Sequence, residues 1–239
     1  MTKEKFSLTI QDSVHCICEM VNLDSSHFEE VYAIDMQAFE ELNGKYIKKS
    51  EEFIKACLHS ECSVGIKTED TLIATVTVNI EKINDEKRAS ILGFKEHWPV
   101  FIGFIEGAYV LPKFRKKGLI TRLYCKAVHL LKEKGIQHIY SAIDPRNHAN
   151  IIAMTKSDFT LQNLYHSNLN GDLRYLIKHH SEQEFLTDKQ HTVLIDDHDT
   201  QVAYFKKGYV GVHITVKNVA SEKTSDNKPA TSMVLMKKR

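Results

Sequence analysis

The chain carries almost no net charge. Its 32 lysines and arginines stand against 31 aspartates and glutamates, leaving +1 at pH 7. No basic field is present that would make nucleic-acid binding its main business. No apolar run approaches the roughly 20 residues that span a bilayer. Met1-Thr2-Lys3-Glu4-Lys5-Phe6 also lacks the apolar core of a signal peptide. Cytoplasmic location, with no membrane and no nucleic acid among the partners, is the expectation. No Cys-x-x-Cys pair occurs among Cys16, Cys18, Cys57, Cys62 and Cys125, and no histidine group of zinc spacing joins them. Reduced thiols and no metal site follow. A Walker-type Gly-Lys-Ser/Thr is missing, which excludes P-loop nucleotide chemistry.

What is present describes an ordinary globular protein. Hydrophobic residues make up 42% of the 239 and charged residues 26%, enough core for one large domain or a domain with an appendage. Phe6–Ile10 and Val14–Val21 read as strands. Ser26-x-x-Glu29 reads as a capping box opening a helix to Glu41, with Val31, Ile34, Met36, Phe39 and Leu42 on its apolar face and Asn43-Gly44 as its stop. Ser50 starts a short helix through Phe53, Ile54, Cys57 and Leu58. Residues 62–67 and 71–80 form a hairpin across Thr68-Glu69-Asp70. Residues 83–99, including the single tryptophan Trp98, show no pattern beyond a loop with one helical turn. Trp98 there is either a wall of the acceptor site or a packing anchor.

Val100–Val110 is an apolar run read as a strand buried on both faces, interrupted by Gly103, Glu106 and Gly107. Pro112 and the basic turn Arg115-Lys116-Lys117-Gly118 lead into a helical pattern from Leu119 that stops at Gly135. In such a strand–turn–helix the N–H groups of the first helical turn point together, and the helix dipole makes them an anion site. Glycine at 118 lets a phosphate approach the backbone. Cations at a helix N-terminus are repelled by the dipole, so Arg115, Lys116 and Lys117 make sense beside a polyanion. Beyond lie a strand at 138–143, a helix at 147–156, and strands at 160–166 and 173–179 flanking Asn168-Leu169-Asn170-Gly171-Asp172.

Arg115-Lys116-Lys117-Gly118-Leu119-Ile120 resembles the Arg/Gln-x-x-Gly-x-Gly/Ala coenzyme A loop of GCN5-related N-acetyltransferases, with Ile120 where the family has glycine or alanine. Asp144 to Phe159 is similar to that family's strand–Asn–helix–Lys-x-Gly-Phe arm; Asn147 keeps the motif position and Asp158 replaces the glycine. The resemblance covers residues 6–180. It implies an α/β acyl-CoA N-acyltransferase fold: a mixed central sheet with a splayed strand pair over 1–180, and a β-α-β appendage over 181–239. It also implies acetyl-CoA as co-substrate, an amine-bearing acceptor (small molecule or protein) and strand edges open to homodimerisation. Backbone N–H groups of Ala108, Tyr109 and Val110 would then meet the thioester carbonyl. Arg115, Lys116, Lys117, Gly118, Leu119, Ile120 and Thr121 would cradle the pyrophosphate, with Asn147 beside the pantetheine arm.

Glu106 is a lone carboxylate in an apolar strand. Desolvation would raise its pKa toward that of a useful base, directly or through a water. The plainer account has it facing solvent at an edge, or accepting hydrogen bonds at the strand break. Met154 stands where the family's general-acid tyrosine is expected. That leaves water to return the proton, or a scaffold that binds acyl-CoA without turnover. His129 reads as a surface or core-edge residue, His179-His180 as solvated, and Cys125 as a small hydrophobe on a packed helix face.

In the appendage, 181–190 reads as a polar link, 193–195 as a strand, 200–207 as a helix closed by Gly208-Tyr209, and the chain to Val216 as a strand. Residues 218–229 read as a mobile loop and 232–237 as a closing strand. Fifty positions on (Lys156 to Lys206), His148, Ala153 and Phe159 find His198, Ala203 and Tyr209, while Gly208 replaces Asp158 and Tyr204 replaces Met154. The expectation is a degenerate half-repeat folding against the core and helping to build the acceptor site. A bolder version makes Tyr204 the general acid; the plainer one is an amphipathic helix between two strands.

Overall fold

A computed structural model describes residues 4–9, 15–42, 46–94, 100–167, 171–180, 185–217 and 230–238. The chain divides into two compact units, Met1–Ser141 and Ala142–Arg239. The expected boundary at 180 falls inside the second.

The first unit runs β1 (Glu4–Thr9), β2 (His15–Asn22), α1 (Phe28–Leu42), α2 (Glu51–His59), β3 (Val64–Thr68), β4 (Thr71–Ile83), α3 (Glu86–Ile91), β5 (Val100–Val110), α4 (Leu119–Glu133) and β6 (His138–Ile143), which straddles the boundary. Strands β1 to β5 pair antiparallel in chain order, and β6 joins β5 parallel. The β3–β4 turn puts Glu69 (φ 48) and Asp70 (φ 62) in the left-handed region, as a two-residue hairpin requires. Leu23, Val31, Ile34, Ala38, Ile54, Leu58, Leu72 and Tyr109 make one core cluster. Helix α4 buries Leu119, Leu123, Tyr124, Ala127, Val128, Leu130 and Leu131, the stripe its period sets.

Several expectations need correcting. The cap before α1 is Asp24, not Ser26. Asp24 accepts from the Ser26 N–H at 2.9 Å, and Ser26 lies inside a 3-10 turn, Ser25–His27. The carboxylate stands one position ahead of the turn, so it reaches the free N–H groups first. Strand β5 is not buried on both faces, since Phe101 is largely exposed. Cys125 is exposed rather than packed, because it falls between the buried stripe positions of α4. His179 is buried against Phe159, and His180 is half-buried with its pKa pushed down to about 3 by burial and then by Lys238; neither is solvated.

The second unit holds α5 (His148–Thr155), β7 (Phe159–His166), β8 (Leu173–His179), β9 (Phe185–Leu194), α6 (His198–Lys206), β10 (Tyr209–Lys217) and β11 (Ala230–Lys238), with strand order β8-β7-β10-β11-β9. The expected polar link through Gln190 is in fact strand from Phe185. It pairs along β11 at the end of the order, where polar composition is no bar to a ladder. Asn43-Gly44, Trp98-Pro99, Asn168 to Asn170 and the loop 218–229 lie outside the described residues.

Fifty positions separate matching backbone as well as matching residues. Asn147 (φ −88, ψ 62) caps α5 and Asp197 (φ −87, ψ 73) caps α6. Asp158 (φ 61) and Gly208 (φ 79) close the two helices in the left-handed region, and β7 and β10 start at Phe159 and Tyr209. Helix α6 is pinned by Gln201, fully buried. Its amide donates to the Leu194 and Ile195 carbonyls at 2.8 Å each and accepts from the Tyr175 hydroxyl at 2.5 Å. Tyr175→Phe would leave that buried oxygen without a donor. The expected cost is about 1–3 kcal/mol in denaturant unfolding, with an unchanged m-value.

Candidate active site

The site begins with a mismatch in β5. Against β4, Ile105 faces Val78 and Gly107 faces Thr77, so Glu106 is an extra residue, a β-bulge with no partner. Against β6 the pairs run from Ile102–His138 to Ile105–Ser141, and none follows among the described residues. From Glu106 onward β5 is held on one side only. The Leu111 N–H donates to the Ile73 carbonyl at 2.9 Å, so Leu111 points toward β4. By the alternation of an antiparallel ladder, Val110 and Ala108 point the opposite way, into the splay. Of the three expected oxyanion donors, Ala108 and Val110 are thus directed into the gap, while Tyr109 is turned to β4.

A group of polar side chains ends beside the bulge. The Lys49 Nζ donates to Asp35 Oδ1 at 2.7 Å and to the Tyr46 hydroxyl at 2.5 Å, and that hydroxyl donates to the same Asp35 oxygen at 2.5 Å. Lys49 and Asp35 are both buried. A Cβ at position 107 would meet the Tyr46 oxygen at 2.6 Å, Lys49 Nζ at 2.9 Å and Thr77 Oγ1 at 3.0 Å. A larger residue there would have to displace three polar tips that converge on the backbone. Asp35 Oδ2 and Thr77 Oγ1 are buried and have no hydrogen-bond partner. Asp35, Lys49 and Glu106 all act electrostatically on Cys57 of α2, whose thiol burial pushes up to about 12. Glu106 itself is half-buried. Burial, then the charge of Glu81, raises its carboxyl to about 7, against the opposing pull of Lys49 and Arg88.

At the far end of β5 the basic turn enters α4. Lys116 (φ 61) and Gly118 (φ 74) are left-handed, and a Cβ on Gly118 would meet nothing within 4 Å. The first intrahelical bond runs from the Arg122 N–H to the Gly118 carbonyl at 3.3 Å. The N–H groups of Leu119, Ile120 and Thr121 precede it, and no side chain caps them. By contrast Ser50, Asp85, Asn147 and Asp197 cap their helices. A curled turn, open space and uncapped N–H groups fit a phosphate group. Lys117 is exposed, and Ile120 half-buried. Arg115 is placed differently from expectation. Its guanidinium forks onto Glu41 of α1 and its Nε donates to the Val110 carbonyl at 2.9 Å, while the Tyr109 hydroxyl donates to Glu41 at 2.5 Å. The Glu41 carboxyl is held below its ordinary value by Arg115 first and Tyr109 second. Arg115 therefore clasps the turn to α1. Asn147 belongs to the second unit, where its side chain accepts from the Asn150 N–H at 3.3 Å.

Asp35, Tyr46, Lys49, Thr77 and Glu41 escaped the sequence reading. Asp35 alone left a signal: Val31, Ile34, Asp35 and Ala38 are spaced as one buried stripe, which an aspartate should not join without a partner.

A sheet splayed beside a bulge, followed by an open anion turn, defines the acyl-CoA N-acyltransferase class of α/β folds. The model of the acetyltransferase (GNAT) family matches residues 28–159, more than half of the chain, and the chain belongs to that family. Solved structures share the fold. A putative arylalkylamine N-acetyltransferase 7 of the yellow fever mosquito is 14% identical with a TM-score of 0.57, over 74% of this chain and 94% of that one. An N-acetyltransferase from Staphylococcus aureus Mu50 gives 14% and 0.51, over 68% and 96%. Naa50 of Arabidopsis thaliana, in complex with a bisubstrate analogue, gives 14% and 0.50, over 68% and 98%. No curated protein matches the chain by sequence.

The raised carboxyl has a stability consequence. The folded state holds the Glu106 proton up to about pH 7 and the unfolded state only to about 4.5, so this contribution to stability is present below 4.5 and lost as pH rises through 7. Glu106→Gln cannot ionise. Relative to the unaltered protein it should gain about 3 kcal/mol between pH 4.5 and pH 8, read by denaturant unfolding at the two values.

Proposed function

We propose that the chain transfers acetyl from acetyl-CoA to a primary amine, by direct attack of the amine on the thioester and with no covalent enzyme intermediate. The observation that carries this reading is Glu106: a carboxylate set at a bulge, raised to about 7, where β5 splays from β6. Acetyl-CoA supplies the activated acyl group. The chain's part begins at the uncapped N–H groups of Leu119, Ile120 and Thr121, which bind phosphate oxygens, with Lys116 and Lys117 adding charge. Lys116 to Thr121 forms the cradle. The N–H groups of Ala108 and Val110 stabilise the oxygen of the tetrahedral intermediate; one such donor contributes about 3 kcal/mol in a dry site. Glu106 takes the amine's proton. The departing thiolate is a fair leaving group and is reprotonated by water, since Met154 is fully buried and has no proton to give.

The acceptor class is an amine on a small molecule or a protein, which the mosquito arylalkylamine enzyme and the peptide-type bisubstrate complex of Naa50 support as alternatives. We read 181–239 as a degenerate half-repeat of the arm that runs from Asp144 to Phe159. Tyr204 packs against His191, tilted, and Tyr209, edge-on, with centroids 4.7 and 5.1 Å away, so it forms part of an aromatic cluster. Met154 also favours a second reading, a scaffold that binds acyl-CoA without turnover.

Calorimetric titration should give saturable acetyl-CoA binding, weakened at least about tenfold in Gly118→Glu, which fills the cradle with a carboxylate. Thiol release across a panel of amines should then depend on Glu106. Glu106→Gln is expected to lower kcat by about 10²-fold, while the unaltered enzyme gains rate as pH rises through 7. Binding without release to any amine, protein N-termini and lysines included, would favour the scaffold.

A further inference from the structure

The buried ammonium of Lys49 has no role in the chemistry above, yet it lies one residue from the bulge. Burying a lysine costs several kcal/mol unless its charge is matched. Asp35 matches it, and Tyr46 adds a hydrogen bond and a ring face 3.9 Å from Nζ. A pair serving stability alone needs nothing further. Here Lys49 and Tyr46 are brought hard against Gly107, where a Cβ would displace them, and the Lys49 charge acts on the neighbouring Glu106. At a bulge the extra residue is twisted out of the alternating pleat, which re-aims its side chain.

We propose that Lys49 is a positioning residue for Glu106: its ammonium, clamped by Asp35 and Tyr46 against the bulge at Gly107, favours the ionised form of the Glu106 carboxyl over the protonated one, so that the group can accept a proton. The function assigned to that proton rests on the acetyl-transfer reading, but the electrostatic claim does not. The groups that act on Glu106, or that belong to the cluster at Gly107, come from four elements and one connection. Strand β4 contributes Glu81 and Thr77, α3 contributes Arg88, α2 contributes Cys57, α1 contributes Asp35, and the segment before α2 contributes Tyr46 and Lys49. Glu81 is occupied by an ion pair with Arg88, and the Cys57 thiol stays neutral. Lys49 is the buried cation of the set, and Asp35, 2.7 Å from its Nζ, tempers it.

This gives opposite signs for the two halves of one ion pair. Removing the cation should make Glu106 harder to ionise, whereas removing the anion should leave Lys49 less neutralised and make Glu106 easier to ionise. Titration of the full-length protein by carboxyl-carbon NMR, with Glu106→Gln assigning the resonance, reads this directly. The Glu106 midpoint should rise by at least about half a pH unit in Lys49→Met and fall in Asp35→Asn. The double variant leaves neither charge unpaired and should fall between the singles, so it decides the matter even where Lys49→Met does not fold. A midpoint that stays put, or moves the same way in both singles, overturns the proposal and leaves the pair as a structural strut. The midpoint answers whatever Glu106→Gln does to turnover. A full-rate Glu106→Gln would remove the general base and leave the electrostatic assignment to the titration.

Discussion

Strand β5 is held on both sides for only part of its length, and the candidate site depends on that shortfall. Its pairs with β6 end at Ile105–Ser141, and the bulge at Glu106 shifts its register on β4 at the same point. Backbone N–H groups left without a ladder partner must find another polar partner or be paid for in stability. The N–H groups of Ala108 and Val110 are in that position. In the acetyl-transfer reading proposed above, a thioester carbonyl is the partner, and developing negative charge on its oxygen suits them better still. The clasp of Arg115 and Tyr109 onto Glu41 holds the end of the same strand, so the donors and the anion turn are fixed to α1 together.

Charge enters this apolar sheet at a cost, and the structure sets it against neighbouring charge. Asp35 sits on the buried stripe of α1, where an unpaired carboxylate would be neutralised by protonation. Lys49 pairs with one of its oxygens, and Tyr46 bonds to both partners while its own hydroxyl is pushed well above its usual range by burial, then by Asp35. Two oxygens of the cluster remain unpartnered, Asp35 Oδ2 and Thr77 Oγ1. A fully satisfied network rigidifies a core; one with orphaned atoms is marked for a water or a ligand group. Glu106 therefore works within a local field rather than in isolation.

The second unit solves one backbone problem twice with different chemistry. Asn147 and Asp197 adopt nearly the same conformation and cap in the same way, because either side chain carries an oxygen at the right reach. Asp158 and Gly208 both close their helices with positive φ, although only glycine does so without cost. Met154 and Tyr204, at matching places, diverge most: one is fully buried, the other packed among aromatics. The backbone is repeated and the side chains that would carry chemistry are not.

What the sequence determined by itself was local. The period of apolar residues set α4, β5 and the arm after β6; Gly118 and the basic turn marked a candidate anion site; Glu106 announced itself as a carboxylate in an apolar run. These are legible because helix stripes, turn glycines and an out-of-place charge are properties of neighbours in the chain. The repeat was legible for the same reason, since an offset of fifty compares like with like. Tertiary structure alone decided which charges meet. Asp35, Tyr46 and Lys49 come from α1 and from a connection without pattern, and they reach Gly107 across the sheet only when α1 and α2 pack on it. Arg115 looked like a phosphate ligand because its partner Glu41 is distant in sequence. The bulge, too, is a count of residues on two strands taken together, and no single strand records it.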